Sequence, residues 1–167
     1  ANVTTTTTQS SQSYSNVELL KAVTLATTNS AVSVSGTVDS KANDANALSV
    51  NAGSGAVTLT GAVGAATNGA LGAVSLNSTG VTTIGGTVTA ASLTTNAGGT
   101  LALNGGTITT TGNQSFGEAI TLGANTTLNA AALTAASTIG LGSYNLTANL
   151  SAASSISGAI SGSGALT

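Results

Sequence analysis

The chain has 167 residues and a net charge of −2, and it contains 22 Gly but no Pro, Cys, Met, Trp or His. Without His and Cys it cannot form a Ser-His-Asp or Cys-His catalytic site, or a thiolate-bound zinc centre. Its two basic residues, both Lys, cannot supply the phosphate contacts of a nucleic-acid-binding protein or a polybasic attachment to lipid. Disordered chains combine low hydrophobicity with high charge, whereas this one is 41% hydrophobic and 4% charged, so we expect it to fold.

The leading part of the chain differs from the rest in charge. A polar run at residues 4–13 precedes residues 17–23, which could form one or two helical turns or an entry strand, and the alternation of Val32, Val34 and Val38 predicts a strand. Only one charged residue follows position 44; the other five are Glu18, Lys21, Asp39, Lys41 and Asp44. Asp39, Asn43, Asp44 and Asn46 could offer oxygens to calcium, but they lack the Gly-rich Asp spacing of calcium loops, so an ordinary polar turn is preferred and no metal is expected.

A repeated phrase dominates the remainder of the chain. GGTVT at residues 85–89 returns as GGTIT at residues 105–109, an interval of 20 residues. Self-similarity at about this period is typical of a solenoid, in which each turn buries its apolar face against its neighbours. Alternation with a period of two, as in LALN at 101–104, indicates strands with one buried face. The prediction is an all-β parallel β-helix of about 20 residues per coil, with repeats over residues 45–167 and an N-terminal cap, entry or assembly segment over residues 1–44.

Apolar residues at this interval predict the inward columns of the core. Val88, Ile108 and Leu128 form the first column, and Val81, Leu101 and Leu141 form the second, while Leu93 and Leu133 belong to a third with Phe116 near the intermediate level. The complete predicted core ladder is Val81, Val88, Leu93, Leu101, Leu103, Ile108, Ile120, Leu122, Leu128, Leu133 and Leu141.

Threonines flank the first column and are predicted to point outward. They are Thr87, Thr89, Thr107, Thr109 and Thr127. Two interpretations are open. Outward Thr pairs repeated on every coil make a flat face of the kind that ice-binding solenoids use, but Thr is also a common outward residue of strands in general. The second interpretation is preferred.

Glu118 is the only charged residue after position 44. It could contact a ligand, but a solvated charge on a turn is the preferred interpretation. Pectin-cleaving enzymes with parallel β-helices need clustered carboxylates with basic partners, which a single Glu cannot provide. The sequence therefore predicts a protein that is not an enzyme and has no cofactor.

Two segments carry a family resemblance. SISGAISGSGALT at residues 155–167 resembles the opening of the autotransporter-associated β-helical repeat, and residues 91–130 resemble repeats of giant bacterial surface proteins related to filamentous haemagglutinins. The resemblance implies a right-handed parallel β-helix on a cell surface or in a secreted fibre, acting in adhesion, aggregation or matrix building. Surface glycans are then possible partners.

An extracellular location also agrees with the composition. The chain starts at Ala1 rather than Met, as expected after removal of a signal peptide, and the lack of Cys suits an export route without oxidative folding. No run of 18 apolar residues occurs, so membrane insertion by a helix is not expected. The main predicted interaction is end-to-end self-association, because open coil ends present unpaired backbone groups and the nearly uncharged surface gives little repulsion. The alternative is an ice- or polysaccharide-binding module that uses the Thr face.

Overall fold

A computed structural model describes residues 10–167 and the backbone of the strand Val3–Thr4; the rest of the predicted polar opening lies outside the described residues. The described chain is all-β. Its strands pair in parallel, each with the strand one turn earlier and one turn later, so the fold is a β-solenoid. The prediction of a parallel β-helix is confirmed.

Each turn offers three strand positions, which we call sides 1, 2 and 3. On side 1 lie β2 (Gln12–Tyr14), β5 (Val32–Val34), β8 (Val57–Leu59), β10 (Val81–Ile84), β12 (Thr100–Leu103), β15 (Ala119–Leu122), β18 (Ile139–Gly142) and β21 (Ile160–Gly162). On side 2 lie β3 (Val17–Leu19), β6 (Val38–Ser40), the start of β11 (Val88–Thr95), β13 (Thr107–Thr110), β16 (Thr126–Ala130) and β19 (Leu146–Leu150), with Val63 bridging β6 to β11. On side 3 lie β1 (Val3–Thr4), β4 (Val23–Ala26), β7 (Leu48–Gly53), β9 (Leu71–Ser78), the remainder of β11, β14 (Gln114–Phe116), β17 (Leu133–Ala135) and β20 (Ser155–Ile156).

The length of a turn changes along the chain. Val32 of β5 pairs with Val57 of β8, an interval of 25 residues, and Val57 pairs with Thr82 at the same interval. From Thr82 to Ile139 the interval on side 1 is 19, as in the pairing of Thr82 with Leu101, and the last pairing, of Ile139 with Ile160, is at 21. The extra residues of the longer turns lie between sides 2 and 3, at residues 41–47 and 64–70.

The ladder runs without a break through position 44, where the sequence suggested a boundary. Strands β2, β3 and β4 of the leading segment pair in parallel with β5, β6 and β7. Residues 12–40 are therefore coils of the same solenoid. Their different charge content marks no change in backbone architecture.

A single narrow core fills the interior from Leu19 to Leu146. Strands alternate buried and half-buried residues, as in the buried–intermediate–buried pattern of β5 and β8, because successive side chains of a strand point to opposite faces. Ten of the eleven residues of the predicted core ladder are buried; the exception is Val81. The largest fully buried side chain is Phe116.

Val81 corrects the predicted second column. Its side chain is 48% exposed, and Thr82, which is fully buried, occupies the inward position below Leu101. The prediction assumed an interval of 20, but side 1 uses 19, and a shift of one residue moves a strand residue to the other face. Above this level, Leu101 pairs with Ile120 and Ile120 with Ile139, while Leu103 pairs with Leu122 in a separate inward column.

The third column is also shifted. Leu93 pairs with Gln114, and Gln114 with Leu133, so a buried amide rather than Phe116 occupies the intermediate level. Phe116 lies two residues further along the same inward face, between Thr95 and Ala135.

Glycines allow close contact at the corner between sides 1 and 2. A Cβ added to Gly61 would collide with the carbonyl of Gly36, and one added to Gly86 would collide with the carbonyl of Gly61. Glycine is needed there because the backbones of successive turns approach one another directly.

Candidate functional site

The outward rows of side 2 form a regular surface from Thr87 upward. Thr89 pairs with Thr109, and Thr107 pairs with Thr127, so the predicted Thr positions stack in register on successive turns. Thr87 is exposed, and the other four predicted threonines are half-buried. The row of Thr107 and Thr127 continues upward as Thr147. The row of Thr89 and Thr109 continues as Asn129 and Asn149. Two residues in a strand lie about 6.8 Å apart and neighbouring strands about 4.8 Å apart, so these positions define a rectangular lattice of polar groups.

Side-chain hydrogen bonds link this lattice along the solenoid axis. Asn149 Nδ2 donates to Asn129 Oδ1 at 2.8 Å, and Asn129 Nδ2 donates to Thr109 Oγ1 at 3.1 Å. The hydroxyls of Thr147 and Thr167 lie 3.0 Å apart. These bonds restrict the side chains that a ligand on side 2 would meet.

Sides 1 and 3 carry further columns of small, mostly hydroxyl-bearing residues that the sequence analysis did not find. On side 3 the column consists of Thr24, Ser49, Ser75, Thr94, Ser115, Thr134 and Ser155. On side 1 it consists of Ser13, Ser33, Thr58, Thr83, Ala102, Thr121, Gly140 and Ser161. No charged side chain interrupts either column, so the surface is rich in hydroxyls on all three sides.

Two shallow grooves lie near the corner between sides 2 and 3. A groove of about 200 Å³ runs beside Thr89 and Thr109 and has an almost wholly apolar lining that includes Ala90, Ala91 and Leu71. The second, of about 360 Å³, is bordered by the adjacent carboxylates of Glu18 and Asp39, which occupy paired positions on β3 and β6.

The side chains of the calcium alternative at residues 39–46 make contacts within the protein. Asp39 Oδ1 accepts a hydrogen bond from the Ala66 amide, the Asp44 carboxylate pairs with the Lys41 ammonium at 3.4 Å, and Asn46 Nδ2 donates to the Leu19 carbonyl. Within the described residues no group of three or more His, Cys, Asp or Glu side chains comes together. The segment is a polar turn.

Glu118 is buried, contrary to the expectation of a solvated charge on a turn. Its exposed fraction is 1%, and among the described residues its carboxyl receives one hydrogen bond, a long one from Thr82 Oγ1 to Oε1 at 3.4 Å. Its Oε2 atom is buried with no partner. Burial raises the pKa of the Glu118 carboxyl to about 7, and the Thr82 hydrogen bond lowers it by a smaller amount. A carboxyl sealed inside the core cannot reach a substrate on the surface.

Gln114 is the second polar group of the core that the sequence did not reveal. Its amide nitrogen donates to the carbonyls of Ile108 at 3.2 Å and Asn129 at 3.1 Å, so it connects its own turn with the next one. Its Oε1 atom has no partner.

No protein-family model matches the chain, and comparisons with curated proteins and with solved structures found no match. In the part of the chain that the structure describes, no helix is long and apolar enough to cross a membrane. The fold itself is that of a β-helical repeat protein.

Proposed function

We propose that this chain is a non-catalytic structural protein, a rigid and self-associating β-solenoid that serves adhesion or matrix building on a bacterial surface or in an extracellular fibre. The observation that carries the proposal is the unbroken parallel ladder of eight strands on side 1. At about 4.8 Å per strand this makes a column on the order of 35–40 Å tall, with its backbone hydrogen bonds along the axis. Such a column resists bending and extension.

Self-association is supported by the turn at residues 155–167. Ile156, Ile160 and Leu166 continue the inward columns above Ala135, Ile139 and Leu146, yet they are 36%, 37% and 46% exposed. A turn with the same pattern would cover them, and it can come from a continuation of the chain or from a second copy. The proposal assigns that role to the leading turn of a second copy, and such a heterologous contact generates an open filament unless it closes into a ring.

The extracellular setting is supported by surface chemistry. Columns of hydroxyls with little charge suit contacts with glycans better than contacts with nucleic acids or anionic lipids, which require clustered cations. Surface glycans are therefore the expected partners besides the chain itself.

Sedimentation velocity combined with electron microscopy tests the structural proposal. The wild-type chain is expected to form unbranched filaments that lengthen with protein concentration. Ile160→Lys and Leu166→Lys place a charge on the uncovered end and should yield short rods, while Val81→Lys places it on the lateral surface of side 1 and should leave filaments intact. Circular dichroism verifies that each variant is folded. A wild-type chain that stays monomeric, or end variants that elongate like the Val81 control, would overturn the proposal.

A second candidate function is ice or polysaccharide binding through side 2. The specific observation in its favour is the in-register stacking of the Thr rows, which creates a flat lattice beside an apolar groove. Thermal hysteresis and polysaccharide pull-down assays distinguish it from the structural role. Thr107→Lys disrupts the lattice, and Thr134→Lys on side 3 is the matched control. If the side 2 variant alone loses ice or polysaccharide binding, the second function replaces the first; if neither activity occurs in the wild type, the second function is wrong.

A further inference from the structure

Glu118 occupies an unusual position for a solenoid residue. It directly precedes β15, yet its carboxyl contacts Thr82 of β10, and β12 lies between these two strands. In a solenoid each turn normally contacts only its neighbours. The Glu118 side chain therefore connects three successive turns.

The Glu118 side chain extends past the intervening turn. Ala119 pairs with Thr100, so the residue beneath Glu118 is Gly99. Gly99 is exposed, whereas Glu118 is buried and its Oε1 atom lies 3.4 Å from Thr82 Oγ1. The carboxyl therefore passes Gly99 on the inside of the column and reaches the level of Thr82.

In the described part of the chain no Lys forms an ion pair with the Glu118 carboxyl. The strands around it are β10, β12, β14, β15, β17 and β18, and none contains a Lys, Asp, Glu or Tyr. All five other charged residues precede position 45, and the closest titratable residue in the following turn, Tyr144, is exposed. Thr95 Oγ1, buried one turn below Phe116, also lacks a hydrogen-bond partner.

We propose that Glu118 is a pH-sensitive lock on the solenoid: as a neutral carboxylic acid it seals the interior across three turns, and its ionisation loosens the turn that contains residues 114–122. A buried carboxylate with one long hydrogen bond and no counter-ion is far less stable than the neutral acid. The neutral acid also carries a proton that it can donate to a neighbouring oxygen, which the carboxylate cannot.

The direction of the pH effect follows from proton binding. The pKa of the Glu118 carboxyl is raised to about 7 in the folded chain, from an ordinary value of 4.5. Between these two values the folded chain binds a proton that the unfolded chain has released, so stability is complete below about pH 4.5, falls as pH rises to about 7, and then levels off. Over this window the folding equilibrium constant should fall by about tenfold per pH unit, roughly two orders of magnitude in total.

Urea unfolding of the full chain from about pH 4 to about pH 9 tests the lock, with Glu118→Gln as the decisive variant. Gln has nearly the same shape but no ionisation, so the difference between wild type and this variant isolates the carboxyl at position 118. Glu18→Gln changes an exposed carboxyl on β3 in the same way and serves as the matched control. The wild type and the Glu18 variant should share the decline between about pH 4.5 and 7, and the Glu118 variant should lose that component.

Two local measurements keep the test decisive if the Glu118 variant folds poorly. Carbon NMR of the Glu carboxyls in the wild type should show one group titrating near neutral pH. Hydrogen exchange of the backbone amides of residues 114–122, corrected for the intrinsic effect of pH on exchange, should accelerate above that pH. Each pH point is repeated with added calcium and with a chelator, to test whether a bound cation stabilises the ionised carboxyl. A wild type whose stability rises across the window, a Glu118→Gln variant with the wild-type profile, or stability at alkaline pH that requires calcium would overturn the proposal.

Discussion

The sequence predicts that Ile108 and Val81 both point into the core, but only Ile108 is buried in the structure. Ile108 is 3% exposed and lies between Val88 and Leu128, whereas Val81 is 48% exposed. We therefore expect Ile108→Asp and Val81→Asp, which introduce the same carboxyl into neighbouring turns, to differ widely in their effect on stability.

The size of the difference can be worked from burial. Removing most of a buried Ile side chain costs about 2–5 kcal/mol, and the unpaired charge adds a desolvation cost that the group can reduce only by remaining protonated. A loss of at least about 4 kcal/mol at neutral pH is expected for Ile108→Asp, against about 1 kcal/mol or less for Val81→Asp. Stability of the whole chain should be about 8–25 kcal/mol at roughly 0.05–0.15 kcal/mol per residue, so the first variant is severely weakened.

Urea unfolding followed by circular dichroism measures both losses. With a slope of about 2 kcal/mol per molar urea, the midpoint should fall by roughly 2 M for Ile108→Asp and by less than about 0.5 M for Val81→Asp. The loss at Ile108 should shrink at acidic pH, where the introduced carboxyl is neutral, and Ile108→Val should cost only about 0.5–1.5 kcal/mol. Equal losses for the two Asp variants would refute the register.

Three further outcomes are expected. Gly86→Ala should destabilise the chain by about 1–3 kcal/mol because the new Cβ meets the Gly61 backbone, while Gly140→Ala, whose Cβ has an ordinary 3.6 Å contact, should be neutral or slightly stabilising in the same unfolding assay. Asn129→Ala removes side-chain hydrogen bonds to Thr109 and Asn149 and should cost about 1–3 kcal/mol, and an unchanged urea midpoint would show that the ladder is not stabilising. Assays against polysaccharide, ester and peptide substrates should show no turnover above background, and a glycan cleavage that disappears in Glu118→Gln would contradict the non-catalytic proposal.

The parallel solenoid could be predicted because two independent patterns agreed. Alternation with a period of two indicated strands, and the GGTVT phrase gave the interval between turns. Side 2 keeps an interval of 20 from Val88 to Ile108 and from Ile108 to Leu128. Because the predicted interval is the true one there, the apolar residues of side 2 were correctly predicted to point inward and the threonines outward.

The other two sides could not be placed with one interval. Side 1 repeats every 19 residues from Thr82 to Ile139 and then uses 21. Side 3 alternates between 19 and 21 from Val74 onward, as in the pairings of Leu93 with Gln114 and of Gln114 with Leu133. The corners between the sides differ in length by one or two residues, so the strands of successive turns still pair on all three sides. Because a one-residue shift exchanges the two faces of a strand, a single period misplaces Val81 even though the fold is right.

A second repeat in the sequence could have revealed the early turns. VSVSGTV at residues 32–38 returns as VTLTGAV at residues 57–63, an interval of 25 that the structure reproduces in the pairing of Val32 with Val57. This repeat crosses position 44, where the change in charge suggested a boundary. The charged residues therefore do not mark a change in the backbone path, which follows the apolar pattern on both sides of position 44.

Two of the buried polar residues, Gln114 and Glu118, could not be placed from sequence patterns for a different reason. Gln114 occupies an inward position of β14 and its amide donates to the Asn129 carbonyl of the next turn, while the Glu118 carboxyl reaches Thr82. Polar side chains are usually solvated, and these contacts between turns leave no pattern in the sequence. The surface of this solenoid is repetitive and nearly uncharged, whereas the Glu118 carboxyl is buried in its interior. The dependence of stability on pH should therefore be determined mainly by Glu118.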